Sequence, residues 1–426
     1  MPNQKQQTAS LPDINFRAQI IALVLVVVVT TIAAPAARAQ TFSVLHNFHG
    51  GGDGEFPTAG VILGSSGVLY GTTSQGGNDG NGTVFKLSEV NSGWFLSSLI
   101  EFAGTDGDHA IGGVVIGPNG ALYGTTEYGG PNDGTVFELR PPATSCKSVL
   151  CSWNDTILHS FTGQPTDGEY PENENLTFDQ AGNIYGTTSM GGMYNAGTTF
   201  ELTPSGGGYT ESILYNFQTQ DGLFPYSGVV FDKAGNLYGT TKYGRPGTEC
   251  PERCGTVYQL MPSSGGWVEN VLLNFDEANG AYPFGNLIID GFGNLYGITA
   301  GGGPNDNGVV FKLAPSDGGW TYSLLYSLLY SSASCSYPSG LTMDAAGNFF
   351  GVCFGGGAHR AGWIFELTNC SNTCMATDLH DFSGSDGQGP TGSPVLDTSG
   401  NLCGTTLYGG TGCDSGGCGV VWEITP

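Results

Sequence analysis

Along most of this 426-residue chain, apolar and polar positions alternate over short stretches that are separated by turn residues. Alternation with a period of two predicts half-buried β-strands, and no helix-period segment competes with it in the repeated region. One stretch shows the unit. Residues 228–232 read as an apolar strand, 233–235 as a turn, 236–241 as a second strand and 255–260 as a third. After the turn residues 262–266, residues 267–275 alternate as a fourth. The unit then recurs. Leu69-Tyr70-Gly71-Thr72-Thr73 returns as Leu122-Tyr123-Gly124-Thr125-Thr126, Ile184-Tyr185-Gly186-Thr187-Thr188 and Leu237-Tyr238-Gly239-Thr240-Thr241. Weaker copies follow at Tyr296-Gly297-Ile298-Thr299, Phe350-Gly351-Val352-Cys353 and Cys403-Gly404-Thr405-Thr406, giving seven copies 53 to 62 residues apart.

Four short strands per repeat and seven repeats predict an all-β fold, a seven-bladed β-propeller of four-stranded antiparallel blades. The ends carry the sharpest clue. Residues 41–48 have the fourth-strand pattern, with Leu45-His46-Asn47-Phe48 matching Leu158-His159-Ser160-Phe161, while the last repeat stops after its third strand, 420–424. A ring that borrows its N-terminal strand to finish the last blade leaves no unpaired edge. An open solenoid gives no reason for that permutation.

Residues 1–39 read as an export signal: Lys5 and Arg17, an apolar run over 19–34, and Ala37-Arg38-Ala39 as a cleavage site before Gln40. The other reading, an uncleaved anchor helix, has a run short for a span of roughly 20 residues. Residues 40–426 are then one propeller domain, exported to the extracellular space or the periplasm and expected to be a monomer. This mature chain has 9 Lys plus Arg against 36 Asp plus Glu, a net charge of −27. Such a surface repels nucleic acid and anionic lipid but admits cations and neutral ligands.

Eleven cysteines fit an oxidising compartment. Cys146/Cys151, Cys250/Cys254, Cys370/Cys374 and Cys413/Cys418 lie close in sequence in predicted loops, and three of these pairs occupy insertions that crosslinks would restrain. Cys335 and Cys353 pair within one blade, which leaves Cys403, in the tyrosine slot of a second strand, as a buried free thiol. Zinc held by these cysteines is not expected, because the pairs fall on different blades.

The repeated block runs Asp-Gly-x-aromatic-Pro, an apolar strand, Asp-x-x-Gly-Asn-Leu-Tyr-Gly-Thr-Thr, Gly-Gly, then Gly-Thr-Val-Phe-Lys-Leu. It resembles the GloVer tandem repeat of bacterial surface or secreted proteins, over essentially the whole mature chain. The resemblance implies an extracytoplasmic propeller-like array and no known activity. Unlike the anchored members, the sequence reaches Pro426 without an apolar span or sorting signal, so the resemblance does not carry surface attachment over to this chain.

No His-Glu-x-x-His, Gly-x-Ser-x-Gly or phosphate loop is found, and no catalytic residue is assigned. The Asp-x-x-Gly-Asn copies at Asp179, Asp232, Asp290, Asp344 and Asp397 read as turn chemistry. His46, His159 and His380 share a fourth-strand slot with Ile100, Tyr215, Leu273 and Tyr326, which points to packing. The connection to each next blade is more informative. Its aromatics Phe56, Tyr170, Phe224 and Tyr282 should ring one mouth of the central channel, beside the loop between strands two and three. They are the candidate ligand-binding residues, together with Glu172 and Glu174 from a one-residue insertion in the third repeat. If that segment is extended, the two carboxylates are about 6.6 Å apart along the strand, near the lower end of the separation in inverting glycosidases. The pairs Asp53/Glu55, Asp106/Asp108 and Asp167/Glu169 present hard oxygens that could hold calcium, the only cofactor considered.

Three functions fit: a binding module for a glycan or a protein, a structural surface protein, and a carbohydrate-active or lyase-type enzyme using Glu172 and Glu174. The fold does not choose among them.

Overall fold

The computed structural model describes residues 40–131, 133–142, 153–172, 175–244, 254–329, 335–370, 373–413 and 416–426. Each tyrosine-glycine-threonine-threonine stretch is the second strand of a four-stranded antiparallel blade, and the described residues hold seven such blades. Blade 1 runs Ile62–Leu63, Leu69–Thr73, Thr83–Val90 and Gly93–Glu101 from the axis outward, and the others repeat the order. Blade 7 takes Gln388–Leu396, Leu402–Tyr408 and Val420–Thr425 from the C-terminal repeat, and Thr41–Asn47 as its outer strand beside Val420–Thr425. The Phe48 amide donates to the Gly419 carbonyl at 3.1 Å where the two strands meet. The ring closes as the strand count requires, and Phe42–Thr425 form one compact unit.

Every position of the repeated motif has a packing reason. The glycine of the second strand lies under the aromatic ring of the third: a Cβ on Gly71 would come within 2.5 Å of Phe85, on Gly124 within 2.6 Å of Phe137, and on Gly404 within 2.3 Å of Trp422. That third-strand ring in turn receives the ring closing the previous blade. Phe48 meets Phe85 at 5.2 Å, Phe102 meets Phe137 at 5.3 Å, and Phe217 meets Tyr258 at 4.9 Å, each edge to face. The core is therefore divided among the blade interfaces rather than gathered at one centre. In three copies the first threonine reaches across to the next blade, as Thr72 Oγ1 donates to Gly112 O, Thr187 Oγ1 to Ser227 O and Thr405 Oγ1 to Ala59 O, whereas Thr125 Oγ1 is buried without a hydrogen-bond partner. The second ties down its own following turn, as Thr73 Oγ1 does with Gln75 O and Thr126 Oγ1 with Tyr128 O.

The Asp-x-x-Gly-Asn turns behave as expected of Asx chemistry. Asp232 Oδ1 accepts from the amides of Ala234 and Asn236, while Oδ2 accepts from Asn236 Nδ2 and the Tyr238 hydroxyl. Burial pushes the Asp232 carboxyl up, but these donors outweigh it and hold the group below its ordinary range. Cys335–Cys353, Cys370–Cys374 and Cys413–Cys418 are disulfides, and Cys403 is a buried free thiol whose pKa burial pushes up to about 12. Cys254 is disulfide-bonded; Cys146, Cys151 and Cys250 lie outside the described residues.

One strand is shorter than the pattern suggests. Residues 228–232 read as a strand, yet only Val230–Phe231 pair, and blades 1 to 3 have the same two-residue inner strand. The preceding residues have left the sheet for the axis, where inner segments of neighbouring blades touch. A Cβ on Gly60 would come within 2.4 Å of Ser393 O, and one on Gly228 within 2.3 Å of Asn175 O.

Candidate binding site at the channel mouth

The aromatic slot of the inter-blade connection has an unusual backbone. Phe56, His109, Tyr170, Phe224, Tyr282 and Tyr337 all have φ between 53° and 57°, and Gly389 in the seventh copy has φ 65°. A side chain in this left-handed region costs on the order of 1 kcal/mol, so six copies need a common cause. The cause is pairing on both sides. The amides of Phe56, His109, Tyr170 and Phe224 donate to Cys418 O, Asn81 O, Asp133 O and Ala196 O of the preceding blade. Their carbonyls accept from Ser74, Glu127, Ser189 and Lys242, each the residue following a Thr-Thr pair. The proline that follows then seats on the glycine opening the preceding blade's third strand, with Pro283 Cδ only 2.4 Å from where a Cβ on Gly255 would sit.

This geometry sets each aromatic slot beside a neighbouring loop. The isolated bridges Glu55 to Gln75, Asp108 to Tyr128 and Leu223 to Tyr243 place the connection against the loop between strands two and three. Tyrosines from those loops wedge between the slots. Tyr128 lies edge to face with His109 (5.7 Å) and Tyr170 (5.4 Å), Tyr243 with Phe224 (5.7 Å) and Tyr282 (5.8 Å), and Tyr408 with Phe56 (5.5 Å) and Phe354 (6.4 Å).

Inside the rim lies a cavity of about 390 Å³, bordered by Thr58, Ile111, Phe284, Tyr337, Phe354 and Thr391, with Gly60, Gly113, Asn175, Asn286 and Ser393 among its axial lining. Tyr337 is 71% exposed despite its apolar neighbours. Blades 2 to 4 carry polar groups in the equivalent places. Glu172 follows Pro171 as Thr58 follows Pro57, and its Oε1 accepts from Ser189 Oγ at 2.9 Å. Glu127 is pushed above the ordinary carboxylate range by burial, and the nearby Glu172 charge adds to this against the Tyr128 hydrogen bond. Tyr226 is raised by burial and then by Glu172, and Lys242 Nζ sits 4.4 Å from the Tyr226 ring centre.

Of the sequence candidates, Phe56, Tyr170, Phe224 and Tyr282 occupy the same slot of the connection and Glu172 follows it, but none of the five is among the residues lining the cavity, and Glu174 lies outside the described residues. The calcium pairs take separate partners. Asp53 Oδ2 is 3.1 Å from His46 Nε2 and 3.2 Å from His49 Nδ1, whereas Glu55 Oε2 faces Cys418 Sγ. Asp106 accepts from the Ala103 amide and Asp108 from His109, and Glu169 accepts from the Gln164 amide while Asp167 meets His159. The His slot of the fourth strand therefore does more than pack: His46, His159 and His380 each hold the aspartate of the connection. Burial pushes Asp53 and Asp167 up, but the histidines and backbone donors leave both below the ordinary range. Glu127, Tyr128, Tyr226, Lys242, Tyr243, Tyr337, Phe354 and Tyr408 escaped the sequence reading. For Glu127, Lys242 and Phe354 the signal is variation: the position after the second strand's Thr-Thr slot reads Ser74, Glu127, Ser189, Lys242, Ala300, Phe354 and Leu407, the changing slot in a constant block, while Tyr337 stands before a proline in the aromatic slot itself.

Residues 30–156 and 147–353 match the Gloeobacter/Verrucomicrobia repeat, well over half of the chain. The chain belongs to this repeat family. No curated protein sequence matches it. Among solved structures, the repeat-family fold is similar to a protein described as the extracellular domain of a one component system of B. thetaiotaomicron, at 13% identity and a TM-score of 0.51, covering 89% of this chain and 40% of that one. It is also similar to a gluconolactonase of Xanthomonas campestris, at 11% identity and a TM-score of 0.41, covering 91% and 90%. At these identities the likeness concerns the fold alone, and repeat-family membership assigns no reaction to the mouth.

Proposed function

We propose that this repeat-family member is an exported binding module that takes a glycan at the channel mouth. The observation that carries the reading is the cavity of about 390 Å³ bordered by Phe284, Tyr337 and Phe354, with Asn175, Asn286 and Ser393 in its lining. Its size falls in the range of small-molecule sites, and aromatic faces beside a few fixed polar groups suit sugar rings. Net charge favours a neutral or cationic ligand over an anionic one. Export is supported by the apolar leader over 19–34 and by the disulfides.

A glycan array probed with the purified protein tests the reading, followed by titration of any ligand found. Tyr337→Ala and Phe354→Ala should each weaken binding about tenfold or more, the usual scale for a buried aromatic anchor. Silence across the array, or unchanged affinity in both variants, would leave the structural role instead. Release of product from a bound polymer would favour the enzyme reading instead.

A further inference from the structure

We infer that His159, Asp167 and Glu211 form a zinc site that clamps blade 2 to blade 3. His159 lies on the outer strand of blade 2, Asn154–Ser160, and Asp167 on the connection that leaves it; Glu211 comes from the outer strand of blade 3, Gly208–Asn216. One ligand atom from each lies within 4.8 Å of the other two. Asp167 is 6% exposed and is aimed by the Thr162 and Gly168 amides, at 2.9 and 2.7 Å. Glu211 Oε1 is sealed from solvent and has no hydrogen-bond partner, a costly state for a carboxylate oxygen that faces a second carboxylate. A divalent cation removes that cost by replacing the proton between His159 Nε2 and Asp167 and any proton on Glu211.

The other repeats show how special this combination is. The slot two residues after the fourth strand's opening position holds Leu96, Glu211, Glu269 and Phe42 opposite His46, His159, Tyr215 and His380. Leu96 and Phe42 cannot ligate: His46 and Asp53 meet the exposed His49 of their own connection, a cluster that takes no group from the next blade, and Phe42 stacks on His380 at 3.6 Å. Glu269 meets Asp221 as Glu211 meets Asp167, but there the Tyr215 hydroxyl donates to the aspartate. Only between blades 2 and 3, among the described residues, do an imidazole and two carboxylates converge. One nitrogen and two carboxylates match a zinc ion with three protein ligands and a water, whereas calcium requires six to eight oxygens.

The protein, stripped with EDTA, is titrated with zinc chloride at pH 7.5 by calorimetry, and its melting is followed with and without the metal. One equivalent of zinc is expected, with a raised melting temperature. Glu211→Gln and His159→Tyr should each weaken binding at least tenfold, while Glu269→Gln leaves it unchanged. His159→Tyr copies the Tyr215 arrangement that the fold already accommodates, so it reports even if Glu211→Gln fails to fold. The assignment is overturned if no zinc binds, if zinc affinity survives His159→Tyr, or if calcium gives the same stoichiometric, His159-dependent response.

Discussion

Replacing Phe48 by alanine tests how much of the ring's stability runs through its closure. Phe48 ends the strand that completes blade 7, and its ring is fully buried against blade 1, edge to face with Phe85 and among Val61, Leu69 and Leu87. Truncating a fully buried phenylalanine costs about 3 to 5 kcal/mol through lost burial and the cavity left behind. With an unfolding entropy of about 2.1 cal/mol/K per residue, a unit of roughly 380 residues has about 0.8 kcal/mol/K in total. The melting temperature should therefore fall by about 4 to 6 °C. Differential scanning calorimetry reads the shift, with Phe95→Ala as the control, since Phe95 is 50% exposed on the same kind of outer strand and should move it by less than about 1 °C. If the two variants melt together, within about 1 °C of the parent, the N-terminal strand does not close the ring.

Two further outcomes follow from the fold. Burial first, and then the Asp221 charge, raises the Glu269 pKa to about 7 from the ordinary 4.5, so the folded chain holds a proton that the unfolded chain releases between those values. Stability from this group is greatest below the unfolded value and is lost as pH rises toward 7, so Glu269→Gln should stabilise the protein at pH 8, by on the order of 1 kcal/mol, and lose that advantage at pH 5; urea titrations at both pH values would expose an equal effect as a refutation. Gly60→Ala should destabilise by about 1 to 3 kcal/mol because its Cβ would stand 2.4 Å from Ser393 O, whereas Gly265→Ala, with nothing within 4 Å, should be near neutral; equal melting temperatures would mean that the axis is not tightly packed.

The repeat determined much by itself. Period-two alternation, seven copies of one motif and a missing last strand were enough for blade number, strand order and ring closure, because each blade is local in sequence and only its outermost strand in blade 7 comes from afar. The same locality made the three described disulfide pairs and the free Cys403 legible, as each pair spans a short loop or two strands of one blade. The aromatic slot of the connections was legible as a repeated position for the same reason: it recurs. What the tertiary structure alone decided lies between blades. The sequence could not say that Tyr128 stands between His109 and Tyr170, that Tyr226 lies under Lys242, or that Phe284, Tyr337 and Phe354 border one cavity, since a repeat register gives each residue's place in its blade but not which side chains face one another across a turn, an interface or the axis. Nor could it say that Asp167 turns toward His159 and Glu211, because the choice is made by which side chain the next blade presents across the interface. Symmetry writes the scaffold into every copy; function depends on the departures, whose meaning appears only when the ring brings them together.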